Sequence, residues 1–196
     1  MSFYPENASV PAELRSAEFI LRPLLATDVE LDYDAVMSSK EMLWLAEEGG
    51  WPAEDFTLAD NLEDLQRHER EHIERSAFTF TVMSPNQTEC LGCIYINSLE
   101  PVLSYLSKDS IDTLAIEDCE AIVTFWVRSS RLADHLDQRL LDALIPWFDQ
   151  DWAFSRVVFG TNSKVSHQVD NFLISGLSQI HAMDVPDKEG RELIYG

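Results

Sequence analysis

The sequence predicts a single α/β domain built on a mixed sheet, with elements in the order β, α, α, β, β, β, α, β, α, β, β. Three observations predict it. Stripes of helical period alternate with short apolar runs of strand length. One run, Glu120-Ala121-Ile122-Val123-Thr124-Phe125-Trp126-Val127, is apolar on both faces and belongs at the centre of a sheet. The strand–helix–strand step across residues 120–159 requires a parallel, right-handed crossover.

Residues 1–16, with Pro5 and Pro11, read as an irregular lead-in, which leaves residues 17–196 as the domain. Phe19-Ile20-Leu21-Arg22-Pro23-Leu24 reads as the first strand, ended by its proline. Thr27-Asp28-Val29-Glu30 has the pattern of a capping box, with helix expected to about Met42 or Leu45. After the break at Gly49-Gly50-Trp51-Pro52, Thr57 opens a second helix whose Leu58, Leu62, Leu65 and Ile73 fall on one face. Phe78, Phe80 and Val82 alternate with Thr79 and Thr81 as in a half-buried strand. The turn Ser84-Pro85-Asn86-Gln87 leads into its hairpin partner, Cys90 to Ile96. Residues 98–118 lack a clean period and either close a pocket or cover a sheet edge. Beyond the central strand, Leu136, Leu140, Leu141, Leu144, Ile145 and Phe148 form the buried stripe of a helix. A strand at Arg156-Val157-Val158-Phe159, a helix from Val165 to Ile174, and a hairpin around Asp187-Lys188-Glu189-Gly190 complete the chain.

At 196 residues the chain can bury roughly 70% of its unfolded surface, so it needs neither a disulfide nor a metal to hold a core. Lys plus Arg number 14 against 35 Asp plus Glu, a net charge of −21. That field repels phosphate backbones and anionic membranes, which argues against nucleic-acid and membrane partners. It attracts cationic substrates such as amines, and it serves equally as a solubilising surface. The three cysteines, Cys90, Cys93 and Cys119, do not describe a secreted disulfide scaffold. The first residues hold no basic region followed by an apolar run, and no apolar stretch approaches the ~20 residues of a membrane span. A cytoplasmic location is the resulting expectation.

Two motifs compete for attention. His68-Glu69-Arg70-Glu71-His72 matches the H-E-x-x-H pattern of zinc hydrolases on a helix. It lies in a run of charge with no Gly-rich continuation to supply a third ligand, and a half-buried His72 is the plain reading. Cys90-Leu91-Gly92-Cys93 has redox spacing, yet on a regular strand residues i and i+3 point to opposite faces, ~10 Å apart, beyond disulfide reach. No metal is expected.

The order of elements, together with several local residues, resembles the GNAT family of N-acetyltransferases over about residues 19–195. Ile20-Leu21-Arg22-Pro23 with Thr27-Asp28 is similar to the family's opening strand and helix start. Leu91-Gly92-Cys93-Ile94-Tyr95-Ile96 is similar to its third strand. Thr124-Phe125-Trp126-Val127 with Leu140-Leu141-Asp142-Ala143-Leu144 resembles the central strand and cofactor helix, and Asn162 and Gly176-Leu177 resemble the family's late Asn and Gly-Phe pair. The resemblance implies a GNAT-like acyl-CoA N-acyltransferase fold, with acetyl-CoA or another acyl-CoA as co-substrate and a small-molecule or protein amine as acceptor. It places Trp126, Val127 and Arg128 against the pantetheine arm and the thioester carbonyl, and it points to Glu120 first and Glu117 second as the carboxylate that removes the ammonium proton. Both glutamates also read as ordinary solvated residues.

The pyrophosphate loop departs from the family pattern. Anchored on Leu140-Leu141, its two small-residue slots fall on His135 and Asp137, and its basic slot on Leu132, one place after Arg131. No glycine lies between Val127 and Gln150. Glycine there lets backbone N–H groups close on the phosphates, whereas Asp134 and Asp137 add repulsion of about 1 kcal/mol each. Arg128, Arg131, Arg139 and the helix dipole compensate in part. Phe172 stands where many family members place the tyrosine that protonates the leaving thiolate, with Ser166, Ser175 or water as substitutes. Tyr33, Trp44, Trp51 and Phe56 either line an amine pocket or form a helix–helix core. Two functions therefore stand side by side: an acyl-CoA-dependent N-acyltransferase, and a GNAT-fold binding or regulatory protein without catalysis.

Overall fold

The computed structural model describes residues 3–100, 118–184 and 189–196; Glu117, most of the ambiguous segment 98–118 and the Asp187-Lys188 turn lie outside them. Eight strands and five helices are present among the described residues. The strands are β1 Leu14–Arg15, β2 Ile20–Pro23, β3 Phe78–Met83, β4 Cys90–Ser98, β5 Ala121–Val127, β6 Val157–Asn162, β7 Gln179–Asp184 and β8 Arg191–Tyr195. The helices are α1 Val29–Ser38, α2 Lys40–Glu47, α3 Leu58–Glu74, α4 Leu136–Asp151 and α5 Ser166–Ile174. They form one mixed sheet in the order β1-β2-β3-β4-β5-β6-β8-β7. Only β5 and β6 run parallel, through the crossover helix α4, and the closing hairpin inserts β8 between β6 and β7.

The lead-in is more ordered than its prolines imply. Leu14 and Arg15 pair with β2, and Tyr4 is fully buried among Phe78, Trp152 and Phe154. The helix start also differs from the expected Thr27 box. The Asp28 carboxylate takes the Leu25 N–H at 3.0 Å and a bidentate pair from Arg22, and a 3-10 turn at Ala26–Asp28 then leads into α1. The expected continuous helix breaks at Ser39 into α1 and α2. Thr57 does cap α3, exchanging bonds with Asp60 as a capping box.

The sheet packs on both faces. Against one face lie α4 and an aromatic cluster of Tyr4, Phe78, Phe80, Trp147, Phe148 and Trp152. Against the other lie α1, α2 and α3, with Leu24, Val36, Leu43, Leu65, Met83, Cys90, Cys93 and Trp126 in contact. Burial of β3 on both faces follows, where alternation implied one. The inward stripe of α3 is not the apolar set expected: Leu58 is 43% and Ile73 75% exposed, while Asn61 and Leu65 are buried and His68 and His72 half-buried. His72 packs edge-on against Phe78 and Glu69 accepts the Ala26 N–H, so these two members of the H-E-x-x-H pattern serve the scaffold.

At the β3–β4 hairpin the register slips, with Met83 opposite Cys90 and Val82 opposite Gly92, so Leu91 is an extra residue in a β-bulge. Gly92 has φ +150°, and a Cβ there would stand 2.0 Å from the Trp126 carbonyl oxygen. Only glycine lets β4 close on β5 at that point. Gly92→Ala is expected to lower stability by about 3 kcal/mol or more, read by equilibrium denaturation; a loss under about 1 kcal/mol would show that the two strands can part there.

Candidate active site

Parallel pairing of β5 with β6 covers Ala121, Ile122 and Val123, opposite Val157, Val158 and Phe159, and then stops. Beyond Val123 the strands part, while β5 stays paired to β4 as far as Val127 opposite Gly92. The Arg128 N–H donates to Leu91 O at 2.7 Å. Antiparallel alternation therefore keeps the backbone groups of Trp126 and Thr124 in the ladder with β4 and turns those of Val127 to the open side. Of the three residues expected to offer backbone groups, Val127 alone faces the cleft. Gly160 makes the parting tight, since a Cβ there would lie 2.9 Å from the Ile122 side chain.

Gln168, at the start of α5, spans the cleft. Its amide donates to Phe125 O at 2.9 Å and its carbonyl accepts from Thr161. The channel between Val127, Leu132, Asp137, Val165, His167 and Gln168 is consequently narrow, about 20 Å³.

The loop from β5 to α4 keeps its main-chain donors but not free cations. His135 takes φ +55° just before α4, the left-handed geometry for which glycine is suited. The His135 side chain does not cap this helix start, which leaves its first N–H groups without a capping acceptor from that residue. Asp137 is buried and accepts from Asn171 Nδ2 at 2.6 Å, with His167 Nε2 at 3.9 Å. Each expected arginine is paired: Arg128 with Asp34 and Glu89, Arg131 with Asp134, and Arg139 with Glu18. Arg128 is moreover turned away from the cleft, its Nε donating to Cys90 O.

Asn162 lies near the end of the parted β6. Its side chain donates to Glu48 and Glu192 and accepts the Lys164 N–H. Glu48 also takes the N–H groups of Glu189 and Gly190, and these bonds hold its carboxyl below the usual range. Asn162 thus ties β6 to α2 and β8 at the rim. Glu120 stands at the head of the central strand, as expected, and this is the end away from the parting. It precedes β5, at the end opposite the cleft, exposed, with its carboxylate accepting the Ser155 N–H at 2.7 Å. Phe172 is fully buried against Phe125, Phe159 and Tyr195.

A cavity of about 380 Å³ opens on the α1–α3 side of the parted strands. Thr124, Trp126, Gly160 and Thr161 form its floor, and α1, α2 and α3 contribute Asp32, Glu47, Asn61, Asp64, Arg67 and His68. Trp51 lines it, whereas Tyr33 and Phe56 stack in the helix core beside it. Tyr95 stands on its wall. The Tyr95 hydroxyl accepts from Trp126 Nε1 at 3.3 Å, and burial pushes its pKa well up, so it holds its proton at neutral pH. His68 lies 5.5 Å away, ring to ring. Its Nε2 faces Arg67 at 3.2 Å and must accept there, which leaves the proton on Nδ1, toward Glu71 and Thr79. Burial first, and Arg67 next, push the His68 pKa down, so the ring is neutral at pH 7.

The sequence gives little sign of this group, because its members come from α1, α3, β4 and β5, and the one motif that touches it, the H-E-x-x-H run at His68, points to a different chemistry. The bulge places one more set here: Cys90 and Cys93, expected on opposite faces, both turn toward Asp32 of α1, with sulfurs 3.9 and 3.3 Å from Asp32 Oδ1. One extra residue at Leu91 inverts the alternation between them.

No family model and no curated protein sequence matches the chain. Solved structures do. The chain is similar to RimL, a ribosomal L7/L12 alpha-N-protein acetyltransferase, at 15% identity and TM-score 0.71, covering 97% of this chain and 96% of that one. It is similar to the microcin C7 self-immunity acetyltransferase MccE, solved with acetyl-CoA and AMP, at 12% identity and TM-score 0.70, covering 95% and 96%. It is also similar to the Salmonella typhimurium acetyltransferase that modifies the N-terminal serine of L7/L12, at 14% identity and TM-score 0.68, covering 92% and 94%. Identities this low establish architecture and leave chemistry to the site. With its parted central strands, its crossover helix and this likeness over nearly the whole chain, the protein has the fold of the GNAT N-acetyltransferases.

Proposed function

We propose that the protein transfers an acyl group, acetyl in the first instance, from acyl-CoA to an amine by direct attack. The observation that carries this reading is the parting of β5 from β6 after Val123, directly over a cavity lined by a neutral imidazole and a protonated phenol. The Val127 N–H and C=O bind the pantetheine arm as an added strand would, and the thioester carbonyl finds a backbone donor at the same edge. Glu47, Asp64 and Glu192 line the cavity against one guanidinium, Arg67, and favour a cationic amine as acceptor. His68, rather than the distant Glu120, takes the ammonium proton once Arg67 yields its Nε2. Tyr95, rather than Phe172, returns a proton to the leaving thiolate.

The cofactor side fits less openly. Helix N–H groups and His135 geometry suit a pyrophosphate, but Asp137 stands behind them and Gln168 must release Phe125 O for the arm to seat. The paired arginines and the filled channel favour a second reading, a binding protein of the same fold without catalysis.

Acetyl-CoA separates the two. At ~1 mM, with a micromolar dissociation constant, it is expected to add about 4 kcal/mol of stability, seen as a rise in melting temperature; no rise leaves the non-catalytic reading. Asp137→Asn keeps the Asn171 bond and removes a like charge of about 1 kcal/mol, so acetyl-CoA should bind about fivefold tighter by calorimetry, and unchanged affinity would place the phosphates elsewhere. With an accepted amine, Tyr95→Phe is expected to lower kcat about a hundredfold. The acid limb of kcat/KM should fall below pH 6.5, since the His68 pKa is lowered from that value, and should vanish in His68→Gln. A limb that persists in that variant assigns the base to another residue.

A further inference from the structure

We propose that Asp32, Cys90 and Cys93 form a binding site for a thiophilic divalent cation of the zinc class, lying under the floor of the cavity. The inference does not depend on the acyl-transfer reading. The three ligand atoms lie within 4.8 Å of one another, and the residues are 3%, 0% and 1% exposed. In tetrahedral zinc coordination, with bonds of about 2.3 Å to sulfur and 2.0 Å to oxygen, neighbouring sulfur and oxygen corners stand about 3.5 Å apart. The observed sulfur–oxygen separations of 3.3 and 3.9 Å bracket that edge. Two thiols and one carboxylate are also a donor set that selects borderline-soft ions over Mg²⁺ or Ca²⁺.

The surroundings are those of a supported site. Asn61 Nδ2 donates to Asp32 Oδ2 at 3.0 Å and to Val29 O at 3.3 Å, which orients the carboxylate from the outer side. Both partners of Nδ2 are acceptors, so the amide orientation is fixed. Asn61 Oδ1, on the same amide carbon, is buried and has no hydrogen-bond partner among the described residues. An orphaned acceptor this close to the carboxylate is explained by a fourth ligand position, taken by Oδ1 itself or by a water bound to it. Asp32 and Asn61 both line the cavity, which gives an ion its route in.

Binding of the ion forms two metal–sulfur bonds and one metal–oxygen bond and releases the two thiol protons to solvent, with no change of oxidation state. The two thiols bind the ion as thiolates, so protons compete with it for the sulfurs. Affinity therefore falls as pH is lowered.

The test uses the full chain, stripped with a chelator under reducing conditions and titrated with Co²⁺. A thiolate-to-cobalt charge-transfer band in the near ultraviolet, saturating at one equivalent and bleached by Zn²⁺, is expected. Cys90→Ser and Cys93→Ser should each abolish it, Cys119→Ser should leave it intact, and Asp32→Asn should weaken Co²⁺ binding at least tenfold. The wild-type titration decides even where a variant folds poorly. Absence of the band in folded, reduced protein overturns the proposal, as does a band that survives both cysteine substitutions.

Discussion

The contact on which this architecture turns is the approach of Gly92 to the Trp126 carbonyl. It is a place where only a residue without a side chain fits, and it sits at the end of the strand pair that anchors β5. Because β4 holds β5 along its whole length from one side, β5 can leave β6 on the other without losing its place in the sheet. The cleft is thus made by a close contact on its opposite edge. The bulge that delivers Gly92 also reverses the alternation of β4, which turns Cys90 and Cys93 into the layer beneath α1.

Charge is organised around the same elements. In a chain with 14 basic residues against 35 acidic ones, several arginines clasp segments far apart in sequence. Arg128 joins the end of β5 to Asp34 of α1 and Arg139 joins α4 to Glu18, while Arg22 closes a local pair from β2 to Asp28. Exposed pairs of this kind contribute at most about 1 kcal/mol each. Arg22–Asp28 is the exception in setting, being bidentate and largely buried. Arg75 does similar work on the backbone, donating to the carbonyls of Pro5, Glu6 and Ala8 and fastening the lead-in to the end of α3.

The scaffold was legible where periodicity speaks. The apolar ribbon of β5, the leucine stripe of α4 and the Thr57 cap follow from local chemistry, and the strand–helix order with them. Polar burial was legible only at His72, whose half-buried place follows from its neighbours in sequence. Asn61 and His68 complete the inward face of α3 beside Leu65, and a reading that follows apolar residues selects Leu58 and Ile73, which face solvent. A bulge likewise leaves no periodic trace, and one inserted residue moves every later side chain to the other face. Glu120 adjoins the central strand in sequence, yet it stands at the end of β5 away from the parted strands. Tyr95 and His68 belong to the cavity through tertiary packing alone, as does Gln168, whose hold on Phe125 could not be read from its place in a helix.

The burial of Tyr4 bears on the order in which the molecule assembles. Its hydroxyl accepts the Ala153 N–H at 2.9 Å, 149 positions away, and its ring fills the space between Phe78 and Trp152. During synthesis the aromatic layer must wait, with its first member already outside the ribosome, until the far end of α4 has emerged. Such a long loop closure slows folding far more than it weakens the finished protein. The lead-in can complete its aromatic layer only once the far end of α4 is in place.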